Sequence, residues 1–198
     1  VNTIRRQFAM KNTMGYGINS LLDFETPLEI ARHLMIGSEG TLGFVTSATF
    51  RTIPVAPHAA SALAIFPTLR EATAALPDLV AAGFAAIELM DAQSLRVAQT
   101  LPEATPEILE LDVTGQAALL LELQDATAEG VGGKIEAVAP LLASLPLTSP
   151  TQATSHGPTR ARLWHIRKGL YTTVAGHRNP GATALLEDIV VPVPTLLD

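Results

Sequence analysis

Between residues 61 and 124, short apolar runs alternate with segments that open on helix-capping residues. That alternation constrains the fold more than any other feature, because a period of two and a period near 3.6 cannot be satisfied by one kind of element. Residues 61–66 read as a short strand. Thr68-Leu69-Arg70-Glu71 has the form of a capping box, in which hydroxyl and carboxylate satisfy free amides at a helix start. Pro77 predicts a kink or a split in that helix, and Gly83 its end. A second strand is expected over 84–90, and Asp91 can cap a helix to about Gln99. Residues 101–115 are acidic and proline-broken, so a loop is expected there. A third strand follows over 117–124. A helix over 128–145 is weakened at its start by Gly130, Gly132 and Gly133. Residues 147–154 read as a fourth strand, 158–175 as the strongest helix, and 183–191 as a last strand before Pro192 and Pro194. Strand–helix units joined by a long acidic crossover predict an α+β fold. The simplest choice is a ferredoxin-like antiparallel sheet with helices on one face.

Residues 1–57 have a different character and are expected to belong to another domain, with 58–198 forming the second. Thr26-Pro27 marks a helix start, with the hydroxyl as cap and proline in the first turn. Leu28, Ile30, Ala31, Leu34 and Met35 supply its apolar positions, and Gly37 its stop. Residues 44–53 read as a strand from their aromatic and β-branched content. Pro54-Val55-Ala56-Pro57 reads as a linker. A chain that opens on Val1 and stops just after a strand-like run reads as a piece of a longer protein.

Composition removes several function classes. There is no cysteine, so disulfides, thiolate metal sites, a cysteine nucleophile and a cysteine-held iron–sulfur cluster within these residues are excluded. Thirteen basic against nineteen acidic residues leave a net charge of −6, which argues against nucleic acid as a partner. No apolar run approaches the length of a membrane span and no signal peptide is visible. The charge is uneven. Twelve acids and two bases lie between Glu71 and Glu136, whereas Arg160, Arg162, Arg167, Lys168 and Arg178 occur with no acid between the first and the last. A basic cluster in an acidic protein suggests an anionic ligand, although a solvated helix face would look the same.

Three constellations carry chemical potential. Gly37-Ser38-Glu39-Gly40-Thr41-Leu42-Gly43 packs three glycines and two hydroxyls into seven residues. It fits either a tight turn or a cradle whose amides approach a ligand. It is neither a P-loop nor a dinucleotide fingerprint, since no lysine follows and it sits between a helix end and a strand. Lys11-Asn12-Thr13-Met14-Gly15-Tyr16-Gly17 is a second glycine-bearing turn. In the helix over 158–175, Leu163, Ile166, Leu170 and Val174 are expected to face the core. Arg160, Trp164, Arg167 and Tyr171 recur on another stripe, where an arginine beside aromatics can clamp a carboxylate. Glu187 and Asp188 are adjacent on a strand and point apart, so they are no catalytic pair. His33, His58, His156, His165 and His177 form no metal-ligand spacing.

Taken together, the segments Lys11 to Tyr16 and Gly37 to Thr46 resemble the end of the FAD-binding domain of the FAD-linked oxidases. This is the flavoprotein group of D-lactate, glycolate and D-2-hydroxyglutarate dehydrogenases in the vanillyl-alcohol-oxidase-like superfamily. Leu163-Trp164-His165-Ile166-Arg167-Lys168-Gly169, with Glu187-Asp188-Ile189-Val190-Val191-Pro192, is similar to that family's cap domain. The phrase around Lys11, with Asn19, Leu21-Leu22-Asp23-Phe24 and Pro27 to Ile30, resembles a branch fused to an iron–sulfur region and associated with D-2-hydroxyglutarate.

The resemblance implies an oxidoreductase in the parent protein, passing hydride from a D-2-hydroxy acid to FAD. Gly37, Ser38, Glu39, Gly40, Thr41 and Gly43 would contact the cofactor, and Asn12 and Tyr16 would line its flavin side. Residues 58–198 would be a truncated cap covering the flavin, with Arg167 on the substrate carboxylate. No catalytic or metal-binding residue is expected within the chain. The histidine base, the metal ligands and any iron–sulfur cluster would lie outside it, so the fragment is expected to be inactive and not to retain FAD. The expected partners are the hydroxy acid, the missing FAD-binding subdomain and an unnamed electron acceptor, with a homodimer through the exposed docking face. The expected location is the cytoplasm, or the membrane periphery. Leu186 stands where some relatives carry a substrate-contacting lysine, and Met14 and Gly17 depart from the commoner pattern. The rival expectation is an anion-binding or interaction module without catalysis.

Overall fold

The computed structural model describes residues 1–10, 15–102, 104–176, 181 and 191–196, with the backbone alone over 168–176. The chain divides into two compact units, one built on Val1–Ile53 and one on Pro54–Ala184.

In the first unit, α1 (Asn2–Gln7) and α2 (Ser20–Asp23) precede α3 (Pro27–Leu34). The start of α3 is the expected one. The Thr26 hydroxyl accepts from the Glu29 amide at 3.3 Å and donates to the Glu29 carboxylate at 2.8 Å. Phe24 and His33 stack with ring centroids 3.8 Å apart. Residues 44–53 form no strand, contrary to the sequence expectation, and Phe44, Phe50 and Ile53 are more than four-fifths exposed. Preference for β structure is realised only through pairing and packing, and among the described residues nothing pairs with this segment.

The second unit begins with β1 (His58–Phe66), followed by α4 (Leu69–Ala74), α5 (Leu76–Ala81), β2 (Ala86–Met90), α6 (Ala92–Ala98), α7 (Pro106–Leu109), β3 (Ala117–Asp125), α8 (Ala128–Ser144) and α9 (Gly157–Gly176). The strands form one antiparallel sheet in the order β1-β3-β2. The α+β class and the antiparallel sheet are those the sequence predicts. The helix expected after Thr68 splits at Ala75, with Pro77 in the first turn of α5, where its missing amide costs nothing.

The central strand explains the layering. Leu119, Leu121 and Leu123 point to one face of the sheet, while Ala118, Leu120 and Glu122 point to the other. On the first face they meet β1's Ala62, Ala64 and Phe66, Leu76 and Leu79 of α5, and Val138 and Leu142 of α8. This is the helical layer the ferredoxin-like arrangement expects. The opposite face is covered as well. There Ile65, Met90 and Leu120 pack against Leu95 of α6, Ile108 of α7, and Leu163 and Ile166 of α9. Leu163 and Ile166 are thus core residues, as their spacing predicts, while the side chains of Leu170 and Val174 lie outside the described set.

Two segments differ from expectation for local reasons. The region 101–115 is not all loop, because α7 forms within it and buries Ile108. Gln99 of α6 donates to the Ile108 and Leu111 carbonyls at 2.9 and 2.7 Å, and Arg96 to those of Val113 and Thr114. Residues 147–154 touch the free edge of β1 without becoming a strand. The Thr148 amide reaches the Ile65 carbonyl at 2.8 Å, and Thr154 exchanges two bonds of 2.9 Å with Ser61. Between these anchors the segment has two residues more than β1, and Pro150 supplies no amide, so it arches away. The strand expected over 183–191 and the Glu187-Asp188 pair lie outside the described residues, apart from Val191.

The glycine-rich start of α8 has a steric cause. The Thr127 hydroxyl caps the Gly130 amide at 3.0 Å, and a Cβ at Gly130 would collide with the Asp125 carboxylate. Asp125 is held there by Lys134 at 2.9 Å and by the Thr127 amide at 3.1 Å. The hydrogen bond from Lys134 and then that from the Thr127 backbone hold its carboxyl below the usual 3.8. A carboxyl with a lowered folded-state value contributes stability above its unfolded value and loses it as pH falls through the folded one. Asp125→Asn is therefore expected to lower the denaturation midpoint at neutral pH and to flatten the acid limb below about pH 4. Urea titrations of both proteins from pH 7 to pH 2 check this, and an unchanged acid limb would contradict it.

Candidate functional site

The two glycine-bearing turns of the first unit come together. The Tyr16 hydroxyl lies 2.8 Å from Thr41 Oγ1. Gly37 has φ +76°, and a Cβ there would stand 2.7 Å from the Gly15 carbonyl oxygen. Only glycine permits both that angle and that approach. Glu39 and Gly40 also lie in the left-handed region, at +49° and +80°. For Glu39 this is a conformation that non-glycine residues rarely adopt.

The hydroxyls of this turn are used in building it. Ser38 is buried and its Oγ donates to the Met35 carbonyl at 2.9 Å. Thr41 Oγ1 donates to the Ser38 carbonyl at 2.6 Å, so in the bond between them Tyr16 is the donor. The amides of Ser38 and Thr41 are bonded within the turn, and among the described residues those of Glu39 and Gly40 have no backbone partner. Both residues are exposed, and the space at Gly40 is open. A Cβ at Gly43 would press on the Met35 side chain. Beside the turns opens a cleft of about 570 Å³, walled by Gly15, Gly17, Gly37, Phe24, His33 and Ile36. Glu39 and Gly40 are not among the residues that wall this cleft, and their exposed amides can meet an acceptor-rich group from solvent. Asn12 lies outside the described residues.

In the second unit, the stripe on α9 faces the sheet. Arg160 Nη2 meets Glu122 Oε2 at 3.2 Å, and the carboxylate is almost wholly buried. The remaining capacity of Glu122 is filled by Gln124 Nε2 at 2.6 Å and the Ser61 hydroxyl at 3.3 Å. Trp164 Nε1 donates to the same Ser61 oxygen at 3.2 Å. Arg160 Nε is buried with no partner. Two helical turns on, Arg167 Nε stands 3.2 Å from Glu88 Oε2 on β2, and half of the Arg167 side chain is exposed. The Tyr171 side chain lies outside the described set.

Glu122, Ser61, Gln124 and Glu88 were not singled out by sequence reasoning. The signal existed, because Glu88 is the one charge in Ala86–Met90, and Glu122 interrupts a run of leucines. A carboxylate at such a position requires a cation, and the basic helix supplies two. Among the described residues no group of His, Asp and Glu is arranged to hold a metal ion, and no helix is long and apolar enough to cross a membrane.

Residues 55–198 match the family model of the FAD linked oxidases, C-terminal domain. The chain belongs to the FAD-linked oxidases. It is 29% identical over 172 residues to a probable mitochondrial D-lactate dehydrogenase of Danio rerio, covering 83% of this chain and 31% of that protein. It is 32% identical over 143 residues to glycolate oxidase subunit GlcD of Escherichia coli K12, covering 71% and 27%. The cytochrome-type mitochondrial D-lactate dehydrogenase of Kluyveromyces lactis is 26% identical over 203 residues, covering 100% and 32%. The chain thus spans about a third of the length of these curated relatives.

The pair that seats α9 in this FAD-linked oxidase domain is open to a direct test. Arg160→Met or Glu122→Leu alone strands a charge against the sheet and is expected to cost about 3 kcal/mol. The two together remove both charges and are expected to cost less than either. Denaturant unfolding of the three variants measures this, and simple additivity would contradict it.

Proposed function

We propose that the parent protein is a flavin-dependent dehydrogenase that oxidises a small D-2-hydroxy acid, of the D-lactate, glycolate or D-2-hydroxyglutarate type, to the 2-oxo acid. The observation that carries this reading is the match of residues 55–198 to the C-terminal domain of the FAD-linked oxidases. Relatives named for D-lactate and glycolate oxidation support the substrate class. The meeting of the Tyr16 and Gly37–Gly43 turns supports the cofactor side.

When bound, FAD supplies the acceptor for two electrons and the α-hydrogen. Tyr16, Gly37, Ser38, Glu39, Gly40, Thr41 and Gly43 form the protein surface against it, and the family resemblance adds Asn12 to the residues that contact it. Ser38 and Thr41 act by shaping the turn, while Glu39 and Gly40 offer their amides. Arg167 neutralises the substrate carboxylate and orients its α-carbon, a contribution made mainly by positioning. The base that takes the hydroxyl proton belongs to another part of the parent protein. Any iron–sulfur cluster that carries electrons onward takes its ligands from outside this cysteine-free chain. The exposed, unpaired segment 44–53 is the proposed docking segment for the FAD-binding subdomain, and in the isolated chain a second copy could take that place.

Anaerobic titration of the flavin absorbance of the full-length protein with D- and L-2-hydroxy acids tests the reading. One acid is expected to bleach the flavin, either a D-acid whose L-enantiomer leaves it unchanged or the achiral glycolate added to the same panel. A yellow protein reduced by none of them would remove the hydroxy-acid assignment. A colourless one would favour an anion-binding module without catalysis.

A further inference from the structure

We propose that Glu88 is a positioning residue for the substrate carboxylate, acting through Arg167. This rests on the reading of Arg167 as the carboxylate-binding group and adds a second residue to it. Glu88 sits at the middle of β2, opposite Leu120 on β3, on the same face of the sheet as Glu122. These two carboxylates engage two arginines seven residues apart on α9, one on each side of the buried pair Leu163 and Ile166. In the inner pair the Glu122 carboxylate is almost wholly buried and engaged by Arg160, Gln124 and Ser61. The outer pair is left half-open, since Arg167 is half exposed and Glu88 one-third exposed. The inner contact holds the helix, and the outer one remains within reach of a ligand.

The atom used in the outer contact matters. A guanidinium has two edges able to grip a carboxylate, one including Nε and one formed by the two terminal nitrogens. Glu88 meets Arg167 at Nε, and no other described residue makes an ion pair with its terminal edge, where a second carboxylate can bind. A free arginine on a helix surface spreads over many rotamers, and ligand binding must collapse them. Fixing Nε to a rigid strand makes that selection before the ligand arrives, so that the terminal edge is already aimed.

The test compares Glu88→Ala, Glu88→Gln, Arg167→Ala and the Glu88→Ala/Arg167→Ala double variant in the flavin-loaded full-length protein. Two readouts are the Kd of oxalate, an unreactive carboxylate, by perturbation of the flavin spectrum, and the split of KM against kcat for the best hydroxy acid. Tm and flavin content report on folding. Arg167→Ala is expected to weaken oxalate about a hundredfold. Glu88→Ala is expected to weaken it about tenfold, with KM rising more than kcat falls. Glu88→Gln keeps an acceptor for Nε and is expected to restore most of that loss. The double variant is expected to be no worse than Arg167→Ala, which a purely structural role would not produce. If Arg167→Ala weakens oxalate while Glu88→Ala leaves it unchanged or tightens it, the positioning role is overturned and the role of Arg167 stands. If Arg167→Ala leaves oxalate binding unchanged, the Arg167 reading falls and this inference with it.

Discussion

A single carboxylate on the central strand fixes how the second unit is assembled. Glu122 lies between Ser61 of β1 and Ala86 of β2 in the register of the sheet, on a strand whose other inward positions are apolar. Buried there unpaired, it would be costly enough to unsettle a domain of ordinary stability. Arg160, Ser61 and Gln124 satisfy it, and Trp164 closes the network from α9. Hydrophobic packing alone would let a helix slide or rotate over a leucine-rich sheet. The directional bonds to Glu122 permit one placement, and from it follow the burial of Leu163 and Ile166 and the station of Arg167.

The proposed division of labour between the two units rests on their chemistry. The first presents backbone: tight turns with positive φ, amides turned outward, and hydroxyls spent on internal bonds. Such a surface suits a large cofactor recognised by its oxygens. The second presents a charged side chain on a long helix, held by a sheet packed on both faces. Its rigid mounting would suit a small substrate whose C1 carboxylate must be aimed.

Much of this was legible in the sequence where local chemistry decides. The Thr26 and Thr68 caps, the split at Pro77 and the apolar face of α9 depend on residues within a turn of each other, and their patterns are written contiguously. The strand expected over 44–53 failed because propensity needs a partner, and no described segment supplies one. Residues 147–154 failed as a strand through Pro150 and a mismatch in length against β1, which only the register reveals. Glu88 and Glu122 were visible as isolated charges in apolar runs, but their partners lie far along the chain. The structural use of Ser38 and Thr41 could not be read either, since a hydroxyl in a glycine-rich turn serves a ligand or the turn equally well until the geometry is known.

The central claim is that helix α9 delivers the group that grips the substrate. A crystal structure of the flavin-loaded full-length protein with its 2-oxo acid product bound tests it most directly. The account predicts the product carboxylate on the terminal nitrogens of Arg167, with Nε still on Glu88. A product carboxylate held by other groups, with Arg167 turned away from it, would contradict the account.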